Sequence, residues 1–262
     1  MKKIIVVFAL LLSLSAIAQD FPGKRPELLL GKEVKVKALS GIASSLGYVG
    51  FYTDPKLKNI YEQTSFETKA EAIFGRQFKV ENVEKTESAE LSKLTLKDDK
   101  DEILYFKYNS SSEYYYPFTV VGGIKYPADF YCDYIDEKTD KFSGKSTFTT
   151  SNTEGVFFYK VKNGAAAKYY MQVKALGKEQ VAGKGAIVLL KNNKRIDKPE
   201  SVVEVTTNRA GSFIYTSTFE LSLKEINVLI DSEITDVRVI KFDSEIKLSG
   251  MLKGMLDCLI TK

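Results

Sequence analysis

The chain has 262 residues, 44% hydrophobic, 12% aromatic and 27% charged, a globular composition that excludes a disordered or collagen-like polymer. It contains no histidine, which removes histidine-dependent triads, histidine general bases and the usual histidine zinc sites together. The formal net charge is only +4, with two of the lysines at positions 2 and 3, so there is no concentrated basic face and no case for nucleic acid.

In chain order, Lys2 and Lys3 precede the apolar run Ile4 to Leu14 and then Ala16-Ile17-Ala18. This is the basic region, apolar region and small-residue cleavage site of a secretory leader, residues 1–18. The run is short of the roughly 20 residues a membrane-spanning helix needs. Gln19 in place of a cysteine argues against a bacterial lipoprotein, so the expected location is secreted or periplasmic, with no integral membrane segment in the mature chain.

Val34, Val36 and Ala38 alternate with Lys35 and Lys37, the period of a half-buried strand. Asp54-Pro55 ahead of Leu57, Ile60 and Tyr61 predicts a short helix, with a cap and a proline at its first position. A second helical turn is predicted from Thr68 to Phe74, ending at Gly75. Strands follow at Gln77–Val83 and Leu91–Lys97, and Asp98-Asp99-Lys100-Asp101 turns the chain into Ile103–Tyr108. Short strands joined by charged turns predict a small barrel or curled sheet.

Gly122-Gly123 and Tyr126-Pro127 supply turn chemistry for a domain boundary. The expected division is residues 19–125 and residues 126–262. Beyond it, Phe157, Tyr159 and Val161 share one strand face, Asn163-Gly164 begins a turn, and Tyr169, Met171, Val173 and Ala175 alternate on the way back. More strands are predicted at Ala186–Lys191, Val202–Thr207, Phe213–Leu221 and Asp236–Phe242. Lys191 to Arg195, the densest basic cluster, is a hairpin turn on this reading. Ser222-Leu223-Lys224-Glu225 is a capping box for a helix with Leu223, Ile226 and Ile230 inward. A terminal helix starts near Ser249, with Leu252, Met255, Leu256 and Leu259 inward, and Gly250 and Gly254 weaken it, so packing must hold it.

Leu30-Gly31-Lys32, Phe74-Gly75-Arg76-Gln77-Phe78-Lys79-Val80, Tyr105-Phe106-Lys107-Tyr108 and Pro117-Phe118-Thr119-Val120-Val121-Gly122-Gly123 come in that order, followed by Asp140-Lys141-Phe142-Ser143-Gly144-Lys145 and the strand-helix ending. In these motifs the chain resembles uncharacterised secreted β-rich proteins of the Bacteroidetes. The resemblance implies an exported or envelope protein that opens with a small SH3-like barrel. It brings no activity and no site residues. The expected fold is thus mainly β, or α+β: a small N-terminal SH3-like β-barrel, then a larger antiparallel β domain with C-terminal helices.

The two cysteines, Cys132 and Cys258, have no metal-like spacing. In an oxidising compartment they can pair and close a loop of 126 residues, or serve as two separate buried thiols. Without histidine, catalysis requires a serine-lysine arrangement or paired carboxylates. Ser244-Glu245-Ile246-Lys247 has the first spacing, but on a strand its two ends face opposite ways. Glu154, Glu204, Glu220, Asp243 and Glu245 lie near strands, where solvated faces explain them more simply. Asp98-Asp99-Lys100-Asp101-Glu102 lacks the spacing of a calcium loop, and Gly183-Lys184-Gly185 lacks the rest of a phosphate loop. No cofactor or metal is expected.

Aromatic density is the most distinctive feature, with eleven rings among residues 105–134. Tyr114, Tyr115 and Tyr116 are consecutive, so on a strand at least one must point away from the core. Tyrosine offers apolar area with a hydroxyl handle. Tyr114, Tyr115, Tyr116 and Tyr126 are therefore the candidate ligand-binding residues of a non-enzymatic envelope or extracellular binding protein, its partner a glycan, a peptide or an envelope protein. The alternatives are a histidine-free carbohydrate-active hydrolase and a structural component of envelope assembly.

Overall fold

The computed structural model describes residues 20–39, 43–64 and 67–262; the expected leader, residues 1–18, lies outside them. The chain is mainly antiparallel β and forms two compact units that meet in sequence between Tyr126 and Pro127. Among the described residues no helix is long and apolar enough to cross a membrane.

In the first unit the elements are β1 (Glu33–Val36), α1 (Ala43–Leu46), β2 (Phe51–Tyr52), α2 (Ala70–Ile73), β3 (Gln77–Lys85), β4 (Leu91–Lys97), β5 (Ile103–Asn109) and β6 (Phe118–Val120). The six strands form one antiparallel sheet in the order β2-β5-β4-β3-β1-β6. In a flat sheet the two edge strands would lie about 24 Å apart. Here Phe51 of β2 and Phe118 of β6 have ring centroids 5.7 Å apart, with Phe106 of β5 meeting both at 5.0 and 4.9 Å. The sheet is therefore curled into a half-barrel, and aromatic rings join its edges across the core. The alternation that predicted the strands is the buried side: Val34, Val36, Leu94, Leu96, Leu104 and Phe106 all face inward.

The helix expected over Asp54–Tyr61 does not form. Asp54 accepts from the backbone N–H groups of Lys56, Lys58 and Asn59 at 2.9, 3.1 and 2.7 Å, and Leu57 takes a left-handed φ of 55°. The carboxylate organises a loop that competes successfully with a helical turn. The second expected turn is present as α2.

The second unit contains β7 (Ile135–Thr139), β8 (Ser146–Thr150), β9 (Phe157–Asn163), β10 (Ala166–Gly177), β11 (Lys184–Leu190), β12 (Arg195–Thr207), β13 (Phe213–Leu221), α3 (Leu223–Asp231), β14 (Ile234–Val239), β15 (Phe242–Glu245) and α4 (Ser249–Thr261). Its nine strands run in the order β15-β14-β11-β12-β13-β10-β9-β8-β7, all antiparallel. The long strand β12 pairs with β11 through Val202 and with β13 from Val203 onward, so it is the corner at which the sheet folds over. Phe242 of β15 consequently stacks on Tyr215 of β13 at 4.4 Å, although a flat sheet would hold those strands about 19 Å apart.

The β9–β10 hairpin forms with Tyr170 opposite Tyr159 and Met171 opposite Phe158. Its buried face on β9 is Phe158 and Lys160, while Phe157, Tyr159 and Val161 occupy the half-exposed outer face. The lysine can lie inside because its ammonium donates to the Ile260 carbonyl at 3.2 Å, satisfying the C-terminal end of α4. The capping box of α3 is present, with Glu225 N–H donating to Ser222 Oγ and Ser222 N–H donating to Glu225. Its inward residues are Ile226 and Leu229; Leu223, at the first helical position, is exposed.

The weak terminal helix is held by packing. Leu252, Met255, Leu256 and Leu259 are buried, and a side chain at Gly254 would run into the ring of Tyr131. That missing Cβ lets the turn Phe130–Tyr134 lie close against α4, and Cys132 forms a disulfide with Cys258, Cα to Cα 5.2 Å.

Candidate functional site

The tyrosine-rich segment lies on a short 3-10 turn, Glu113–Tyr115, leading into β6, rather than on a strand. The threefold turn fans successive side chains apart. Tyr114 and Tyr115 are 82% and 59% exposed and meet edge to face at 5.0 Å, whereas Tyr116 is 2% exposed. Of the four expected site residues, the structure thus brings Tyr114, Tyr115 and Tyr116 together and separates Tyr126 from them in role.

Tyr126 belongs to a clasp on the first described residues of the chain. Its hydroxyl donates to the Phe21 carbonyl at 2.6 Å, and Tyr108 donates to the Gly23 carbonyl at 2.6 Å. Asp20 accepts from the Val120 N–H at 2.8 Å, and the Phe21 ring lies 5.3 Å from Tyr116 and 5.9 Å from Tyr108. Much of the aromatic density therefore serves the protein's own chain. Tyr116 closes the floor of this cluster; burial, and after it the charge of Asp20, push its phenol far above the ordinary tyrosine range. Its hydroxyl and the Thr68 hydroxyl are buried without a hydrogen-bond partner among the described residues.

On the other side of Tyr116 runs a groove of about 880 Å³. Its walls come from the segment after β1 (Lys37–Leu39), from Leu46–Val49, from Glu67 and from Glu113–Pro117. Tyr48 fixes two of these walls, exchanging backbone hydrogen bonds with Thr68 at 2.9 and 3.0 Å and donating its hydroxyl to the Lys37 carbonyl at 2.6 Å. Gly47, at a φ of +101°, permits this approach, since a Cβ there would collide with the Thr68 carbonyl. A smaller hollow of about 420 Å³ shares Val49, Tyr115 and Tyr116 with the groove, so Tyr115 stands as a ridge between them.

Leu46, Val49, Tyr114 and Tyr115 are all large apolar side chains left exposed on this one groove. Single exposed hydrophobics are ordinary, but contiguous ones mark contact surfaces. Phe142, fully exposed at the β7–β8 turn, has no such company. The groove's charged side chains are Lys37, Glu67 and Glu113. The Lys37 ammonium lies over the Tyr116 ring, 5.8 Å from its centroid. Glu67 is half-buried and its carboxyl is raised by that burial, and the same charge helps raise the Tyr52 phenol after burial has done so. Sequence reasoning missed Leu46, Val49 and Glu67. The signal was Leu46-Gly47-Tyr48-Val49-Gly50, an apolar run punctuated by glycines that lacks the polar alternation of a half-buried strand.

Of the other sequence candidates, Glu204 is exposed on β12, and the rest are engaged locally. Glu154 accepts from the Lys247 and Leu248 N–H groups, Glu220 pairs with Lys168, Asp243 with Arg238, and Glu245 with Lys247. Asp98 accepts from the Lys100 and Glu102 N–H groups and from Arg76, as a hairpin turn requires. Asn193, at a φ of 63°, turns the chain within Lys191–Arg195. Among the described residues, no group of three or more cysteine, aspartate and glutamate side chains is placed to hold a metal ion. No family model, no curated protein sequence and no solved structure matches this chain.

Proposed function

We propose that this is an exported, non-enzymatic binding protein whose ligand seats in the groove of the first unit against Tyr114 and Tyr115. The observation that carries this reading is the gathering of four exposed apolar side chains on one concavity. The aliphatic side chains of Leu46 and Val49 with the rings and hydroxyls of Tyr114 and Tyr115 suit a ligand with both apolar and polar surface, such as a peptide or a glycan. The absence of histidine supports a binding role over acid-base catalysis. The groove's walls are tied together by backbone bonds between Tyr48 and Thr68, so its shape is largely preformed and little ordering cost falls on binding.

The test is a thermal-shift screen of the protein against peptides, peptidoglycan fragments and oligosaccharides, since a ligand that binds only the folded state raises Tm. The expected result is a shift that Tyr114→Ala or Tyr115→Ala removes while leaving the unliganded Tm in place. A shift that survives both substitutions would move the site elsewhere.

A further inference from the structure

The charges of the groove narrow its ligand class, on the premise that the groove is the binding site. Lys37 already has a partner for its ammonium in the face of Tyr116. Glu67 and Glu113 line the same groove, and neither has an ion pair among the described residues. Glu67 is the more telling, because a half-buried carboxylate without a cation bears part of the desolvation cost of its charge uncompensated. Tyrosine rings line the same groove, and their faces attract cations. An anion entering here would meet two carboxylates, and a neutral ligand would leave Glu67 unpaired. We propose that the groove takes a cationic group, the ammonium or guanidinium of a lysine- or arginine-bearing peptide, between Glu67, Glu113 and the rings of Tyr114 and Tyr115.

The peptide's remaining apolar contacts fall on Leu46 and Val49, and its length is set by a groove of about 880 Å³, room for a few residues. Overall charge cannot mimic this selectivity, because the chain is net positive at +4 and repels a polycation at long range. Capture of a cationic peptide must therefore be local.

The experiment is fluorescence anisotropy of the intact protein with three dye-labelled probes: tetralysine, the same peptide with every lysine acetylated, and a chitin tetrasaccharide. Saturable binding of tetralysine, weaker by about tenfold or more for the acetylated peptide and similarly weakened by Glu67→Gln, is the expected result. Glu67→Gln keeps size and polarity and removes the charge, and its circular dichroism and Tm serve as the folding control. If the tetrasaccharide binds with sensitivity to Tyr114→Ala and tetralysine does not, the cation is overturned and the binding groove stands. If tetralysine binds equally to wild type and to both Glu67→Gln and Tyr114→Ala, the cation inference fails. If no probe binds, it fails as well, and the thermal-shift screen decides the groove separately.

Discussion

The two units solve one problem in two ways. Each holds an antiparallel sheet that curls until strands distant in the hydrogen-bonding order touch through their rings, Phe51 on Phe118 in one and Tyr215 on Phe242 in the other. In the second unit the curl is locked by a helix seated over the sheet and a disulfide from that helix to the turn beneath it. In the first there is no cysteine, and the corresponding work falls to tyrosines that grip the chain's own residues 20–23. One closure is covalent and apolar; the other consists of hydroxyl bonds and ring contacts. The unit without a covalent tie is also the one that carries the candidate groove, as expected when binding surfaces come from regions not committed to maximal packing.

The contrast breaks most sharply at the disulfide. Replacing Cys132 and Cys258 together by serine should lower the stability of the second unit by about 5 kcal/mol, the chain-entropy value for so long a loop. Hydrogen exchange should show β8 and β9 losing protection while β3, β4 and β5 keep theirs; equal loss in both would mean the units share one unfolding event. Gly254→Ala comes next. Its gain of about 1 kcal/mol in helix propensity is outweighed by the collision with Tyr131, for a net loss of about 2 kcal/mol in urea denaturation. In the first unit, Phe21→Ala strips the clasp of its ring and should cost about 1.5 kcal/mol. An unchanged midpoint would show that residues 20–23 only decorate the half-barrel.

The smallest expected effect is a pH dependence confined to the first unit. Burial acts to raise the Asp98 carboxyl, but the N–H of Glu102, the guanidinium of Arg76 and the N–H of Lys100 outweigh it and hold it below the usual carboxylate range. Because the folded value lies under the unfolded one, the stabilisation is fully present above about pH 4 and is lost as pH falls through the lowered value. Urea midpoints recorded at successively lower pH should fall less steeply in Asp98→Asn than in the parent chain.

Much of the fold was written locally. Strand periodicity located β4 at the residues predicted, and the Ser222–Glu225 pair marked the start of α3, because alternation and capping depend on neighbours a few positions apart. The errors share a cause. Asp54-Pro55 carries helix-start chemistry, yet the same carboxylate can hold three N–H groups of a loop, and tertiary context made that choice. The alternation of Phe157, Tyr159 and Val161 left open which face of β9 is inward; Phe158 and Lys160 take it, because the end of α4 supplies a carbonyl for the lysine.

The sequence by itself determined the β-rich class, the lack of histidine chemistry and the presence of more tyrosine between residues 105 and 134 than one core face can use. It left open which rings would be spent on the chain and which left to solvent, and whether the cysteines would pair. Those outcomes depended on contacts across tens of residues, Tyr108 to Gly23, Tyr126 to Phe21 and Cys132 to Cys258, and on Glu67 and Tyr114 coming to line one groove. Periodicity reports on a residue's own strand or turn, whereas a groove is made by the approach of distant segments, and only the folded chain fixes that approach.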